Sequence, residues 1–75
     1  MMFLSNSVAQ ELKGLRKKRG LTLDQTAMNA GVSRLTVFNV EHGKTSPTLE
    51  TLLLMLKALD ARMIIEPFPM PEDLQ

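Results

Sequence analysis

The side chains best equipped to hold a polar partner cluster between residues 33 and 45. They are the guanidinium of Arg34, the carboxamide of Asn39, the hydroxyls of Ser33, Thr36 and Thr45, and the ammonium of Lys44. If residues 34–42 form a helix, Arg34, Leu35, Phe38 and Asn39 fall on its outer side, while Val37 and Val40 point inward with Val32. The chemistry available is hydrogen bonding and charge pairing, not bond-making. The chain has no Cys and one His, His42, with no nucleophile–base pattern, phosphate-cradling glycine loop or cluster of metal-ligand residues. The sequence therefore argues against an enzyme, and predicts no catalytic residue, no metal and no cofactor.

Charge points the same way. Residues 1–47 carry seven bases against three acids, and residues 48–75 carry two bases against five acids, so a net charge of +1 conceals a basic first half and an acidic second half. A basic half suits a polyanionic partner, with the acidic half turned away. With 75 residues the chain is one domain, whose core is small enough to gain from self-association. The absence of Cys excludes a disulfide scaffold and thiolate metal sites. The apolar runs are too short to span a membrane, and Met1 to Ser5 lacks the basic region of a signal peptide. With 44% apolar residues the chain has too much hydrophobic content for a disordered one. These features predict a soluble cytoplasmic domain without membrane contact.

Helix signals place the polar cluster. Ser7 and Gln10 form a capping-box pattern before a helix over 7–19, with Val8, Leu12 and Leu15 at helical spacing and Gly20 as the stop. Thr22 and Gln25 repeat the pattern for a second helix over 23–29. Ser33 caps a third over 34–42, closed by Gly43, and Thr48 or Ser46 caps a fourth that runs to about residue 59. The Lys17-Lys18-Arg19 run reads as a solvated helix end. Residues 62–66 are β-branched and flanked by charge, which predicts a strand, and Pro67, Pro69 and Pro71 then exclude helix and central strand.

The second and third helices meet at Ala30-Gly31-Val32. Two helices joined by a short turn with Gly at its centre form a helix-turn-helix pattern, with Ala27 small where they cross. Around that turn stand Gly20-Leu21-Thr22, Ala27, Ala30-Gly31-Val32-Ser33, Thr36-Val37, Glu41-His42-Gly43-Lys44 and Ser46-Pro47-Thr48-Leu49-Glu50-Thr51-Leu52. Together these residues resemble the Xre family, the lambda-repressor-like or Cro-like helix-turn-helix proteins, over about residues 8–59. The remaining strand and proline-containing tail are similar to HipB-type antitoxins, dimeric repressors of a kinase-type toxin operon.

The Xre resemblance implies an all-α fold. It is a compact four-to-five-helix lambda-repressor-like domain over 1–60, followed by a β-strand over 61–66 that pairs across a dimer and a tail over 67–75. It implies that the third helix enters the major groove of double-stranded DNA. Ser33, Arg34, Leu35 and Asn39 would then meet base edges: Arg34 a guanine, Asn39 an adenine, Leu35 a thymine methyl. Thr22, Leu23, Thr36, Lys44 and Thr45 would meet the DNA backbone. Arg16 and Glu41 match a partly buried family ion pair that orients the third helix, so Glu41→Gln is expected to loosen DNA binding more than folding. The chain departs from the family pattern at Leu23, where Gln is frequent, at Thr26, where a buried Leu is usual, and at Phe38, where a small or polar residue is common.

Dimerisation follows from two further features. The fourth helix is apolar over more than one face, from Leu49 to Leu59, and a lone strand leaves its backbone groups unpaired. The predicted interface comprises Leu53, Met55, Met63, Ile64 and Ile65. The resulting expectation is a homodimeric repressor that binds an operator, with antitoxin action against a kinase-like toxin as the finer reading. A stand-alone or phage-type regulator, or a protein-binding module without a specific DNA site, remain open alternatives.

Overall fold

The computed structural model describes residues 6–67, which form four helices: α1 (Asn6–Lys18), α2 (Leu23–Ala30), α3 (Arg34–Glu41) and α4 (Leu49–Ala58). Three of the four carry the expected N-caps. The Thr22 hydroxyl accepts from the Gln25 N–H at 3.0 Å, and the Gln25 side chain accepts from the Thr22 N–H at 2.9 Å, completing a capping box. Ser33 accepts from the Thr36 N–H at 3.0 Å, and Thr48 from the Thr51 N–H at 3.1 Å. The first helix differs from expectation. It starts at Asn6, so Ser7 lies within the helix and is not its N-cap.

Helix ends explain the chain's reversals. Gly31 sits at φ +73°, a left-handed conformation that costs a residue with a Cβ about 1–2 kcal/mol. Its cap lets the Val32 N–H donate to the Ala27 carbonyl at 3.0 Å, which closes α2 and turns the chain into α3. The end of α4 has no glycine. Asp60 takes the left-handed position there, at φ +55°, and the Ala61 N–H donates to the Leu56 carbonyl at 2.8 Å.

The helices close on a core of Leu12, Ala27, Ala30, Val37, Val40, Met55, Leu56 and Leu59, with Leu15, Leu21, Val32 and Leu52 packed around it. Ala27 and Ala30 are buried where α2 meets α3 and α4, as expected of small residues at a close crossing. Met55 requires a correction. It was expected at a dimer interface, but it is 0% exposed in the chain's own core, so no surface remains for a second copy to touch. The all-round apolar pattern of α4 does not reveal which of its residues face inward.

Thr26 is also fully buried, and its hydroxyl has no hydrogen-bond partner. A buried unsatisfied hydroxyl costs about 1–3 kcal/mol. Thr26→Val keeps the shape and removes that group, and is expected to raise the unfolding free energy by about 1 kcal/mol. Urea denaturation followed by circular dichroism measures this. A lower midpoint for the variant would mean that the hydroxyl is satisfied in solution.

Residues 61–67 carry no regular secondary structure, and no strand forms among the described residues. The expected strand over 62–66 is absent within one chain because its ladder groups have no partner strand there. The segment does leave Met63, Ile64 and Ile65 exposed, as a pairing surface would require. Of the proline-containing tail expected over 67–75, residues 68–75 lie outside the described residues.

Candidate nucleic-acid interface

The candidate face is built on the N-terminal turn of α3. Ser33 holds that turn: its Oγ accepts the Thr36 N–H and lies 2.8 Å from the Thr36 hydroxyl. The Ser33 hydroxyl is thus engaged in capping, while Arg34 and Leu35 project outward at the first two helical positions. Leu35 is 64% exposed and the Arg34 side chain 61% exposed. Asn39, one turn further on, is half-buried at the edge of the same face, and Thr36 lies between them. Val37 and Val40 anchor the opposite side in the core. Arg34, Leu35, Thr36 and Asn39 thus all lie outside the core that Val37 and Val40 enter, and Phe38, which the spacing also puts on the outer side, is half-buried.

Lys44 and Thr45 are exposed in the loop after α3. A small cluster that the sequence reading left unassigned positions that loop. The ring of Phe38 stacks on that of His42, with centroids 4.0 Å apart and planes at 26°. The Lys44 ammonium lies 5.3 Å from the Phe38 ring centroid, within cation–π range. His42 Nδ1 is 2.8 Å from the Phe38 carbonyl at the end of α3, and the Lys44 N–H donates to the Asn39 carbonyl at 2.8 Å. Phe38 is thus neither a free aromatic nor a vacant contact. It is the platform that seats His42 and Lys44. The spacing of Phe38 and His42, four residues apart across the end of α3, is the signal that could have shown this.

At the start of α2 the structure narrows an expectation. The Thr22 N–H is taken by Gln25 in the capping box, so that amide is not free for a phosphate. Thr22 Oγ1 keeps its own proton as a donor, and Leu23 remains as the first-turn amide. Asp24 adds an exposed carboxylate to this turn and reaches across to α3, with Oδ1 3.3 Å from Arg34 Nε. Nothing in the local sequence pattern announced that contact.

Behind the face, Arg16 and Glu41 form the expected ion pair. Arg16 Nε donates to Glu41 Oε2 at 2.7 Å and Nη2 to Oε1 at 3.1 Å, while Nη1 donates to the Leu21 carbonyl at 2.9 Å. The side chains are only 11% and 1% exposed, a deeper burial than expected. One guanidinium thereby ties the end of α1, the α1–α2 turn and the last turn of α3 together. Arg19 makes a second tie. Expected to be solvated, it donates to the carbonyls of Leu59 and Asp60, both at 3.1 Å, which fixes the turn after α4 against α1.

A capped helix held at both ends, with a guanidinium, a carboxamide and an apolar side chain on its exposed face, is the second helix of a helix-turn-helix domain. The helix-turn-helix family model HTH_3 matches residues 12–63. The chain belongs to this family, the Xre or lambda-repressor-like group, whose members are DNA-binding regulators of transcription. A crystal structure of an HTH_3 family transcriptional regulator from Vibrio cholerae is 44% identical, with a TM-score of 0.72, over 76% of this chain. This chain spans 32% of that protein's length. The restriction-modification controller protein C.AhdI from Aeromonas hydrophila is 33% identical, with a TM-score of 0.70, over 72% of this chain and 82% of that one. A mutant of the restriction-modification controller C.Esp1396I, at 24% identity and a TM-score of 0.75 over 81% of this chain and 77% of that one, shares the fold. No curated protein matches the chain. No helix among the described residues is long and apolar enough to cross a membrane, and none of their His and acidic side chains group as a metal site.

Proposed function

We propose that this chain is a sequence-specific transcriptional repressor that binds an operator in double-stranded DNA as a cytoplasmic homodimer. The observation that carries the reading is the exposed Arg34–Leu35 turn, with Asn39 half-buried at its edge, on the second helix of a family helix-turn-helix. Arg34 would donate two hydrogen bonds to guanine, Asn39 would pair with adenine and Leu35 would pack on a thymine methyl. Ser33, at the helix end, would contribute its hydroxyl proton. Lys44, Thr45, Thr36, Thr22 and the Leu23 amide would meet phosphates.

The dimer reading is supported by the apolar surface of α4 and the segment after it. Leu53 and Met63 line one groove, and Leu49, Leu54, Ile64 and Ile65 are exposed beyond it. The proposed interface is Leu53, Met63, Ile64 and Ile65, with residues 62–66 of two copies pairing about a two-fold axis. Two recognition helices would then sit roughly 34 Å apart, matching half-sites one DNA turn apart. Sedimentation equilibrium at tens of micromolar tests this, and a monomer mass there excludes it.

The relatives bear on the genetic setting. The likeness to C.AhdI, at 33% identity over most of both chains, supports a controller-type regulator. Antitoxin action against a kinase-like toxin has no comparable support among the described residues.

Fluorescence anisotropy with the gene's own upstream duplex and a scrambled duplex, each at two salt concentrations, tests the function. The repressor reading requires tight binding to the native duplex alone, with affinity falling steeply as salt rises. Equal weak binding to both would leave a protein-binding module. In the same assay Lys44→Ala is expected to weaken both duplexes alike and to flatten the salt slope by about 1, as loss of one phosphate contact requires. A selective loss on the native duplex would move Lys44 from the backbone to the bases.

A further inference from the structure

We infer that Asp24 is a specificity-determining residue, one that holds Arg34 by the side of its guanidinium and so presents the outer edge to a guanine. The inference rests on the DNA-binding reading above and adds to it a residue that contacts no base. Asp24 lies in the first turn of α2 and Arg34 in the first turn of α3, so the helix-turn-helix itself brings them together. The contact runs from Asp24 Oδ1 to Arg34 Nε, at 3.3 Å.

The choice of nitrogen matters. A guanidinium is a rigid planar fork with five N–H donors. The Nε position lies on its flank, while guanine O6 and N7 together take two parallel donors. A carboxylate on the flank leaves the terminal Nη1 and Nη2 groups free to supply that pair. As an exposed ion pair without hydrogen-bond alignment, it biases the long side chain toward this orientation before DNA arrives, so less rotamer freedom is lost on binding. Both side chains are exposed, 61% for Arg34 and 75% for Asp24, so the pair adds little to folding. Its value is in direction.

The same carboxylate has a second consequence. It places a negative charge at the start of α2, beside the Leu23 amide proposed for a phosphate. Phosphate contacts carry affinity for any sequence. Asp24 thus lowers binding to all DNA while sharpening the preference for guanine, a device that gains specificity by disfavouring wrong partners.

The test uses Asp24→Asn, which keeps size and removes charge. The probes are a duplex that the wild-type chain selects from a random pool, and versions of it with single guanine pairs exchanged. The variant is expected to bind every duplex more tightly, yet its preference for guanine at one position per half-site should fall about threefold. In an Arg34→Ala background, Asp24→Asn should still raise general affinity but leave the preference unchanged. Asp24→Glu should restore part of the preference. If wild type discriminates and Asp24→Asn keeps the same preference ratio, Asp24 is an electrostatic bystander and the inference fails alone. The same holds if the ratio changes equally without Arg34. If wild type selects no duplex, the DNA-binding reading fails and takes this inference with it.

Discussion

Glu41→Ala should remove about 3–5 kcal/mol of unfolding free energy, because it strands the Arg16 guanidinium in the interior without its carboxylate. Both Glu41 oxygens accept from Arg16, and the Glu41 side chain is 1% exposed, so water cannot take the carboxylate's place without opening the core. At roughly 0.05–0.15 kcal/mol per residue, a chain of this size has about 4–11 kcal/mol in total, so the loss ranges from about a quarter of the stability to all of it. Glu41→Gln should fall between, since one oxygen still accepts but the amide N–H₂ opposes the guanidinium. This reverses the order expected from the sequence, where DNA binding was to suffer before folding. Thermal and urea unfolding by circular dichroism decide the matter. A double replacement, Arg16→Met with Glu41→Leu, should recover much of the loss, since a buried pair exchanged for apolar side chains is often neutral. A loss below about 1 kcal/mol for Glu41→Ala would show that the pair is solvated and that α3 is oriented by packing alone.

Arg34→Ala should leave the fold intact and abolish one element of operator choice. The side chain is largely exposed and its loss empties no core space, so stability should change by no more than about 0.5 kcal/mol. A bidentate arginine–guanine pair accounts for about 1–3 kcal/mol of discrimination, or roughly 5- to 150-fold per half-site. Anisotropy with the native duplex and with each guanine exchanged should show that loss at one position per half-site and leave the others nearly unchanged. This pattern separates Arg34 from Lys44, whose removal should lower affinity for all sequences alike. A uniform loss across all duplexes would make Arg34 a phosphate contact.

These two residues show how the domain divides its labour. Glu41 and Arg16 hold the last turn of α3 from behind, and Ser33 fixes its first turn through the cap. Between these fixed ends, Arg34, Leu35 and Asn39 can vary without disturbing the core. The Phe38–His42 stack extends the arrangement into the following loop, where it seats Lys44. On the proposed DNA-binding reading, a face built this way changes its sequence preference by substitution at a few positions outside the core.

The sequence by itself determined three of the four helix starts and the inward side of α3. Thr22 with Gln25, Ser33 with Thr36 and Thr48 with Thr51 are contacts three residues apart, so their partners are fixed by spacing alone. Gly31 marks the turn for the same local reason, and the inward set of Val37 and Val40 follows from helical periodicity. The tertiary structure decided what depends on which surfaces meet. It buried Met55 in the chain's own core and left Leu53 outside, although both lie on one apolar helix. It turned Arg19 from a solvated helix end into a tie onto the carbonyls after α4, forty residues away. It set Asp24 beside Arg34 and left residues 61–67 without a strand partner. A pattern within one helix specifies a face but not its neighbour, and the neighbour is chosen only when all four helices close on the same small core.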